Sequence, residues 1–303
     1  MKVIVHGLGR MGMQITRKLS EDKHTVIAHN RSLDKIDQAV SFGAVKAVTK
    51  EDAIAAGGTD TVLWIMLPAD VVDDQIDQWL PLLPPKSIII DGGNSDFRLT
   101  RQLAARVEQH GFQLVDIGVS GGVWGYANGF SMMCGSNNRG SFEKITPLLD
   151  SLVKPEGAYA YFGNSGSGHF VKMVHNAIEY GMMESLAEGY HVLQAGPYEG
   201  IDLAAAGNVW QHHSVITSWL NELCRDILKD NPSLAGIDGY VAENGETRWT
   251  LEAASQASIP LPAIQAAMNI RIASQQGQIS FATKLLAAMR HQFGGHQLNH
   301  PNE

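Results

Sequence analysis

A chain of 303 residues, 44% apolar and 18% charged, is long enough to fold as two globular domains with a core in each. Its net charge of −8 argues against nucleic acid or an anionic membrane as a partner, and Cys134 and Cys224 are too few for a disulfide framework or a thiolate zinc site. No apolar run approaches the ~20 residues that cross a bilayer, and the chain starts on a strand with no signal peptide ahead of it, so a soluble cytoplasmic protein is expected.

Residues 2–6 read as a short apolar strand leading directly into Gly7-Leu8-Gly9-Arg10-Met11-Gly12 and a helix over 11–20. This is GxGxxG between a strand and a helix. Gly7 allows the tight turn, Gly9 lets backbone approach a pyrophosphate, and Gly12 lets the helix pack on the strand. The helix N-terminus adds N–H groups and a dipole that favour the anion. Dinucleotide binding is the better reading over a purely structural glycine turn. A second strand spans 25–29, and a carboxylate just beyond it would select NAD by holding ribose hydroxyls. The row reads His29-Asn30-Arg31-Ser32 instead, with no carboxylate before Asp34. Arg31 can pair with a 2′-phosphate and Ser32 can donate to it, which favours NADP; otherwise Arg31 is a loop residue over the adenine.

Strands at 61–66 and 87–90 flank an amphipathic segment at 70–80, with Pro81, Pro84 and Pro85 as the break. Their carboxyl ends, at Leu67-Pro68 and at Asp91-Gly92-Gly93-Asn94-Ser95-Asp96, should face the ligand crevice. Leu67 and Asn94 are therefore candidate cofactor contacts, and Asn94 can also meet a substrate hydroxyl, while Ser95 or Asp96 caps a helix over 97–110. A strand at 113–117 leads into Gly118-Val119-Ser120-Gly121-Gly122. Without GxSxG or a His–Asp partnership, Ser120 reads as a binding residue and not as a nucleophile. Strands at 130–134 and 159–162, around a helix at 141–152, close a sheet domain ending near residue 163.

Residues 165–188 contain no proline and read as a helix on which Lys172, His175, Asn176 and Glu179 fall at i, i+3, i+4 and i+7. Phe170, Val171, Val174, Ile178 and Met182 flank this stripe and should bury the helix. Any one polar residue alone suits a satisfied seam between helices. All four together point to an acid–base strip. Beyond it, helical spacing recurs at 201–206, 209–229, 250–255, 262–274 and 279–292, broken at Asn231-Pro232, Ile259-Pro260 and Gly294-Gly295. Adjacent His212-His213, and His169 and His175 on different helix faces, make no metal site, and none is expected.

GLGRMG, DGGNSD, VSGG, GHFVKMVHNAIEYG and the terminal RHQFGGH together resemble the short-chain, decarboxylating 6-phosphogluconate dehydrogenases of the β-hydroxyacid dehydrogenase superfamily, in order over essentially the whole chain. The resemblance implies a Rossmann-type doubly wound domain over 1–163, then an all-helical substrate and dimerisation domain over 164–303. It implies Lys172 as the base for a 3-hydroxyl and Glu179 as the acid that protonates C1 after carbon dioxide departs. Asn94, Ser120, Gly121, Gly122, His175 and Asn176 match residues that hold sugar acid and nicotinamide, and Tyr180 matches a phosphate contact. Arg290 and His296 match residues that reach the neighbouring subunit's site, implying a homodimer completed by its tails.

The chemistry suits these residue types. A β-keto acid loses carbon dioxide readily once its carbonyl oxygen receives a proton, and a lysine whose pKa is brought down from ~10.4 can take that proton and return it. One departure is visible: the family's arginines are replaced here by Gln211 and Thr217. Arg248 and Arg290 are candidates to compensate; otherwise the substrate is an aldonate with a sulfonate or hydroxyl at C6, with His212 or His213 bonded to it. A β-hydroxyacid dehydrogenase that stops at the carbonyl, and a dinucleotide-binding homologue without turnover, are the remaining readings.

Overall fold

The computed structural model describes residues 1–295. Strand and helix alternate first: β1 (Lys2–His6), α1 (Arg10–Glu21), β2 (Thr25–His29), α2 (Leu33–Val40), β3 (Val45–Ala47), α3 (Lys50–Gly57), β4 (Thr61–Ile65) and α4 (Ala69–Trp79). There follow β5 (Ile88–Asp91), α5 (Phe97–Gln109), β6 (Gln113–Ser120), α6 (Gly125–Asn128), β7 (Ser131–Gly135), α7 (Arg139–Leu152) and β8 (Ala158–Tyr161). The sheet order is β3-β2-β1-β4-β5-β6-β7-β8, and every pairing is parallel except β6 with β7. The order reverses between β1 and β4, which is where a doubly wound sheet opens a crevice at its carboxyl ends.

The sheet is apolar on both sides because helices cover both. Val3, Val5, Val26, Val62, Trp64, Ile88 and Ile90 point to one side, with Ile15 and Leu19 of α1 and Ile145 and Leu149 of α7. Ile4, Ile27, Leu63, Ile65 and Ile89 point to the other, against Ile76 and Trp79 of α4 and Leu103 and Val107 of α5. Each such side chain taken fully out of water contributes about 1.5–3 kcal/mol.

Two compact units divide after Lys172. The start of α8 (Ser167–Ala195) therefore clusters with the sheet. The second unit holds the rest of α8 and α9 (Leu203–Gln211), α10 (Trp219–Asp230), α11 (Glu246–Gln256), α12 (Pro262–Gln275) and α13 (Phe281–Gly294). Its core joins Met183, Ala187 and Tyr190 of α8 to Leu223, Cys224 and Ile227 of α10 and Leu285, Leu286 and Met289 of α13.

Three expectations need correction. The single helix over 209–229 is interrupted: His213 takes φ +60, the hydroxyls of Ser214 and Thr217 donate to the Trp210 carbonyl, and Ser218 caps α10 by accepting from Asn221 N–H. Hydroxyl groups competing for helix carbonyls end the helix without any glycine or proline. The apolar side of α8 is also not the one expected, since Phe170, Ile178 and Met182 are exposed while Met173, Ala177 and Met183 are buried. Lastly, β3, α2 and α3 occupy a stretch where no element was anticipated; α3 starts on a reciprocal cap between Thr49 and Asp52.

Candidate active site

The glycine turn is built by crowding at two positions and openness at the third. A Cβ on Gly7, whose φ is +104, would lie 2.4 Å from the Met66 carbonyl oxygen, and one on Gly12 would lie 1.9 Å from the Gly7 carbonyl oxygen. Gly9 caps α1 with no side-chain hydrogen bond, and nothing lies within 4 Å of the place its Cβ would take. The positive end of α1 with open space above Gly9 fits a pyrophosphate. Leu8 N–H donates to Asn30 Oδ1 (3.1 Å), tying the turn to the end of β2. Arg31 and Ser32 just beyond are exposed. On the other flank, a Cβ at Gly93 would lie 2.8 Å from the Leu67 carbonyl oxygen, so the Asn94 loop abuts the Leu67 loop. Asn94 is exposed, and Asp96 makes the cap of α5 by accepting from Arg98 N–H.

Beneath this turn lies a pair that sequence reasoning missed. His6 and His29, the last residues of β1 and β2, bring their Nδ1 atoms to 2.6 Å, and His6 Nε2 donates to Gln75 Oε1 at 3.1 Å. A neutral His6 protonated at Nε2 leaves Nδ1 to accept from His29. Both rings stand edge-on to Trp79 at 5.5 and 5.4 Å. Burial pushes His6 down to about 3 and His29 to about 4, with nearby Lys50 adding to both. Their signal, a histidine closing each of two adjacent strands, is legible only once the strands are known to pair.

Lys172 is set by β6. The fully buried Asp116 accepts from the backbone N–H groups of Gly166 (2.7 Å) and His169 (3.0 Å), satisfying amides at the start of α8. The His169 Nδ1 meets Thr100 Oγ1 at 2.8 Å. Two residues along the strand, Gly118 leaves a gap that Lys172 fills: a Cβ there would lie 2.3 Å from the Lys172 Cβ. Lys172 is buried. Ser120 is the last residue of β6, not a loop residue, and Gly121 and Gly122 follow with φ +130 and +53. The turn and α6 beyond them are held on α1, with Tyr126 N–H donating to Gln14 Oε1 and Lys18 Nζ to the Tyr126 carbonyl.

In the second unit, one network gathers the remaining α8 residues. Asn176 Nδ2 donates to Glu246 Oε2 (2.5 Å), and Asn244 Nδ2 donates to the same oxygen (2.6 Å). Tyr180 Oη donates to Asn244 Oδ1 (3.1 Å), His175 Nδ1 lies 2.9 Å from Asn176 Oδ1, and Glu179 is 4.0 Å from the same ring nitrogen. Behind Tyr180 stands a further residue the sequence reading did not single out. The fully buried Arg271 of α12 lays its guanidinium 3.4 Å from the centre of the Tyr180 ring. Desolvation pulls Arg271 down to about 10 and Arg290 below its ordinary range, with Tyr180 and Glu179 opposing that in both. Two buried cations so placed make a locus for an anion.

Arg290 lies within α13 and is buried, with Tyr180 and Glu179 of its own chain acting on its charge. His296 lies outside the described residues. Arg248 is exposed and pairs with Glu243. Gln211 accepts from Asn221, Thr217 donates to Trp210, and His212 bonds the Asn208 carbonyl, so these groups serve the α9–α10 connection. Among the described residues, no three His, Cys, Asp or Glu side chains group as metal ligands, and no helix is long and apolar enough to cross a membrane.

Residues 2–163 match the family model for the NAD binding domain of 6-phosphogluconate dehydrogenase, and residues 168–297 match the 6-phosphogluconate dehydrogenase C-terminal domain. The NAD(+)-dependent, decarboxylating 6-phosphogluconate dehydrogenase of Haloferax volcanii is 34% identical over 98% of both chains. YqeC of Bacillus subtilis is 33% identical, again over 98% of each. The Plasmodium falciparum 6-phosphogluconate dehydrogenase structure covers 100% of this chain and 67% of its own, with a TM-score of 0.83 at 24% identity, a likeness of fold.

Proposed function

Since the chain belongs to the 6-phosphogluconate dehydrogenase family and is an NAD(P)-dependent oxidoreductase of its decarboxylating kind, we propose that it converts 6-phosphogluconate to ribulose 5-phosphate and carbon dioxide. The observation that carries this reading is the order of groups along α8: Lys172, His175, Asn176 and Glu179 on one face, then Tyr180 backed by Arg271. When bound, the oxidised nicotinamide supplies the hydride acceptor. Lys172 takes the C3 hydroxyl proton as C3 is oxidised, and its ammonium then returns that proton to the carbonyl oxygen as the C1–C2 bond breaks. The electron pair of that bond is thereby held as an enediol. Glu179 protonates the carbon that lost the carboxylate, which becomes C1 of the product, while the now neutral Lys172 takes the proton back from the enediol oxygen at C3 to leave the ketone. His175, Asn176, Asn94 and the Ser120-Gly121-Gly122 turn hold the sugar acid.

Arg290, with the field of Arg271, anchors the phosphate in place of the arginines missing at Gln211 and Thr217. Charge-assisted bonds to a guanidinium are about twice as strong as neutral ones, so phosphate is favoured over a C6 hydroxyl. Arg31 and Ser32 favour NADP over NAD. The protein works as a cytoplasmic homodimer whose tails, with His296, complete the neighbouring sites. Measuring kcat/KM for 6-phosphogluconate and gluconate with each nucleotide, with carbon dioxide quantified, tests these points together. Arg290→Gln should raise KM for 6-phosphogluconate about 10- to 100-fold and leave gluconate unaffected. Equal turnover of both sugar acids, or oxidation without carbon dioxide, overturns the reading. Removing the residues after Gly295 should raise KM, and no change would exclude the shared site.

A further inference from the structure

Glu246 opens α11 with 1% of its surface exposed, and one of its oxygens, Oε2, receives two amides: Asn176 at 2.5 Å and Asn244 at 2.6 Å. An ionised carboxylate only accepts hydrogen bonds, so each amide must turn its NH2 towards Glu246 and its oxygen away. The orientation of both amides follows from that one charge.

The consequence runs outward in two directions. Asn176 Oδ1, facing away from Glu246, lies 2.9 Å from His175 Nδ1, and an oxygen there can only accept. His175 must then carry a proton on Nδ1, and the neutral ring has Nε2 as its acceptor. Asn244 Oδ1 faces Tyr180 Oη at 3.1 Å, so the phenol proton is directed to Asn244. Thr250 Oγ1 donates to the Met173 carbonyl at 3.0 Å and holds α11 against α8, so Glu246 is fixed relative to the strip.

We propose that Glu246 is a positioning residue for the reaction: it sets the amide orientation of Asn176 and, through it, the Nδ1–H tautomer of His175, so that the imidazole offers an acceptor at Nε2. The catalytic consequence rests on the function proposed above; the tautomer does not. A buried Gln at position 246 can accept or donate, so it allows Asn176 to flip and the imidazole proton to move to Nε2.

The test uses the full-length enzyme labelled with 15N-histidine, with the His175 resonances assigned by their loss in His175→Gln. In the wild type, at a pH where the ring is neutral, His175 should give the Nδ1–H pattern; an Nε2–H pattern overturns the proposal and needs no variant that might misfold. Glu246→Gln should shift that pattern towards Nε2–H and lower kcat on the order of 10- to 100-fold, with KM for the nucleotide changed less than about twofold. Glu246→Asp should recover part of both. A folded Glu246→Gln enzyme with an unchanged tautomer and kcat refutes the role. If no sugar acid is turned over by the wild type, the function proposed above fails while the nitrogen spectra still decide this point.

Discussion

The two units bury ionisable groups in different ways. Under the glycine turn, His6 and His29 share one hydrogen bond and are kept neutral, while the carboxylates that the sheet unit buries, Asp91 and Asp116, are each met by backbone N–H groups. The helical unit keeps charges inside: Arg271, Arg290 and Glu246 are buried, and so is Glu184, whose carboxylate oxygens have no hydrogen-bond partner among the described residues. Burial, with Glu188 near it, pushes Glu184 up to about 7. An anionic dinucleotide can be met at the start of α1 by backbone N–H groups and the helix dipole, with no buried side-chain charge; in the helical unit the charges are side chains, and the desolvation they cost is borne by its core.

The largest expected effect separates the two contributions to α8. Lys172 clusters with the sheet and Glu179 with the helices. Lys172→Met should lower hydride transfer about 10³- to 10⁴-fold in single-turnover absorbance while nucleotide binding is retained. Glu179→Gln should slow the later proton delivery and spare the first hydride transfer. Equal loss of that first step in both variants would merge the roles.

Acid should then open the units at different pH values. His6 and His29 have folded pKa values of about 3 and 4 against 6.5, so the stability they confer is present above 6.5 and lost as pH falls towards those values. A loss on the order of 3–5 kcal/mol by pH 4, seen as faster hydrogen exchange in the sheet unit first, is expected. Glu184 runs the other way: its folded value is raised from 4.5 to about 7, so its contribution is present below 4.5 and lost as pH rises through 7. Glu184→Gln should stabilise the helical unit by about 1–3 kcal/mol at pH 8 and hardly at all at pH 4. Matching pH profiles for the two units would remove the contrast. Smallest are the caps: Thr49→Ala in the sheet unit and Ser280→Ala in the helical unit should each cost about 1 kcal/mol in thermal or urea unfolding.

The sheet and the long helix were legible because their signals are local: a glycine turn after an apolar strand, and four polar residues at helical spacing. What escaped depended on partners distant in sequence. His6 and His29 are ordinary strand residues until β1 and β2 pair. Arg271 is one arginine on α12 until α8 brings Tyr180 beneath it, and Glu246 resembles any helix-start glutamate until Asn176 meets it. The gap after α9 was hidden for another reason, since Val215 and Ile216 continue an apolar rhythm although both are exposed.

The helix carrying Lys172 and Glu179 runs unbroken from Ser167 to Ala195, with Asp116 fastening its first amides and Gly118 receiving the lysine stem. Its rise of 1.5 Å per residue acts as a ruler, so the interval between the amine and the carboxyl is graduated in whole residues. One residue inserted between them would swing the carboxyl about 100° around the axis, whereas the same insertion in a surface turn is absorbed. Length, rather than composition alone, is therefore what drift across this segment must preserve.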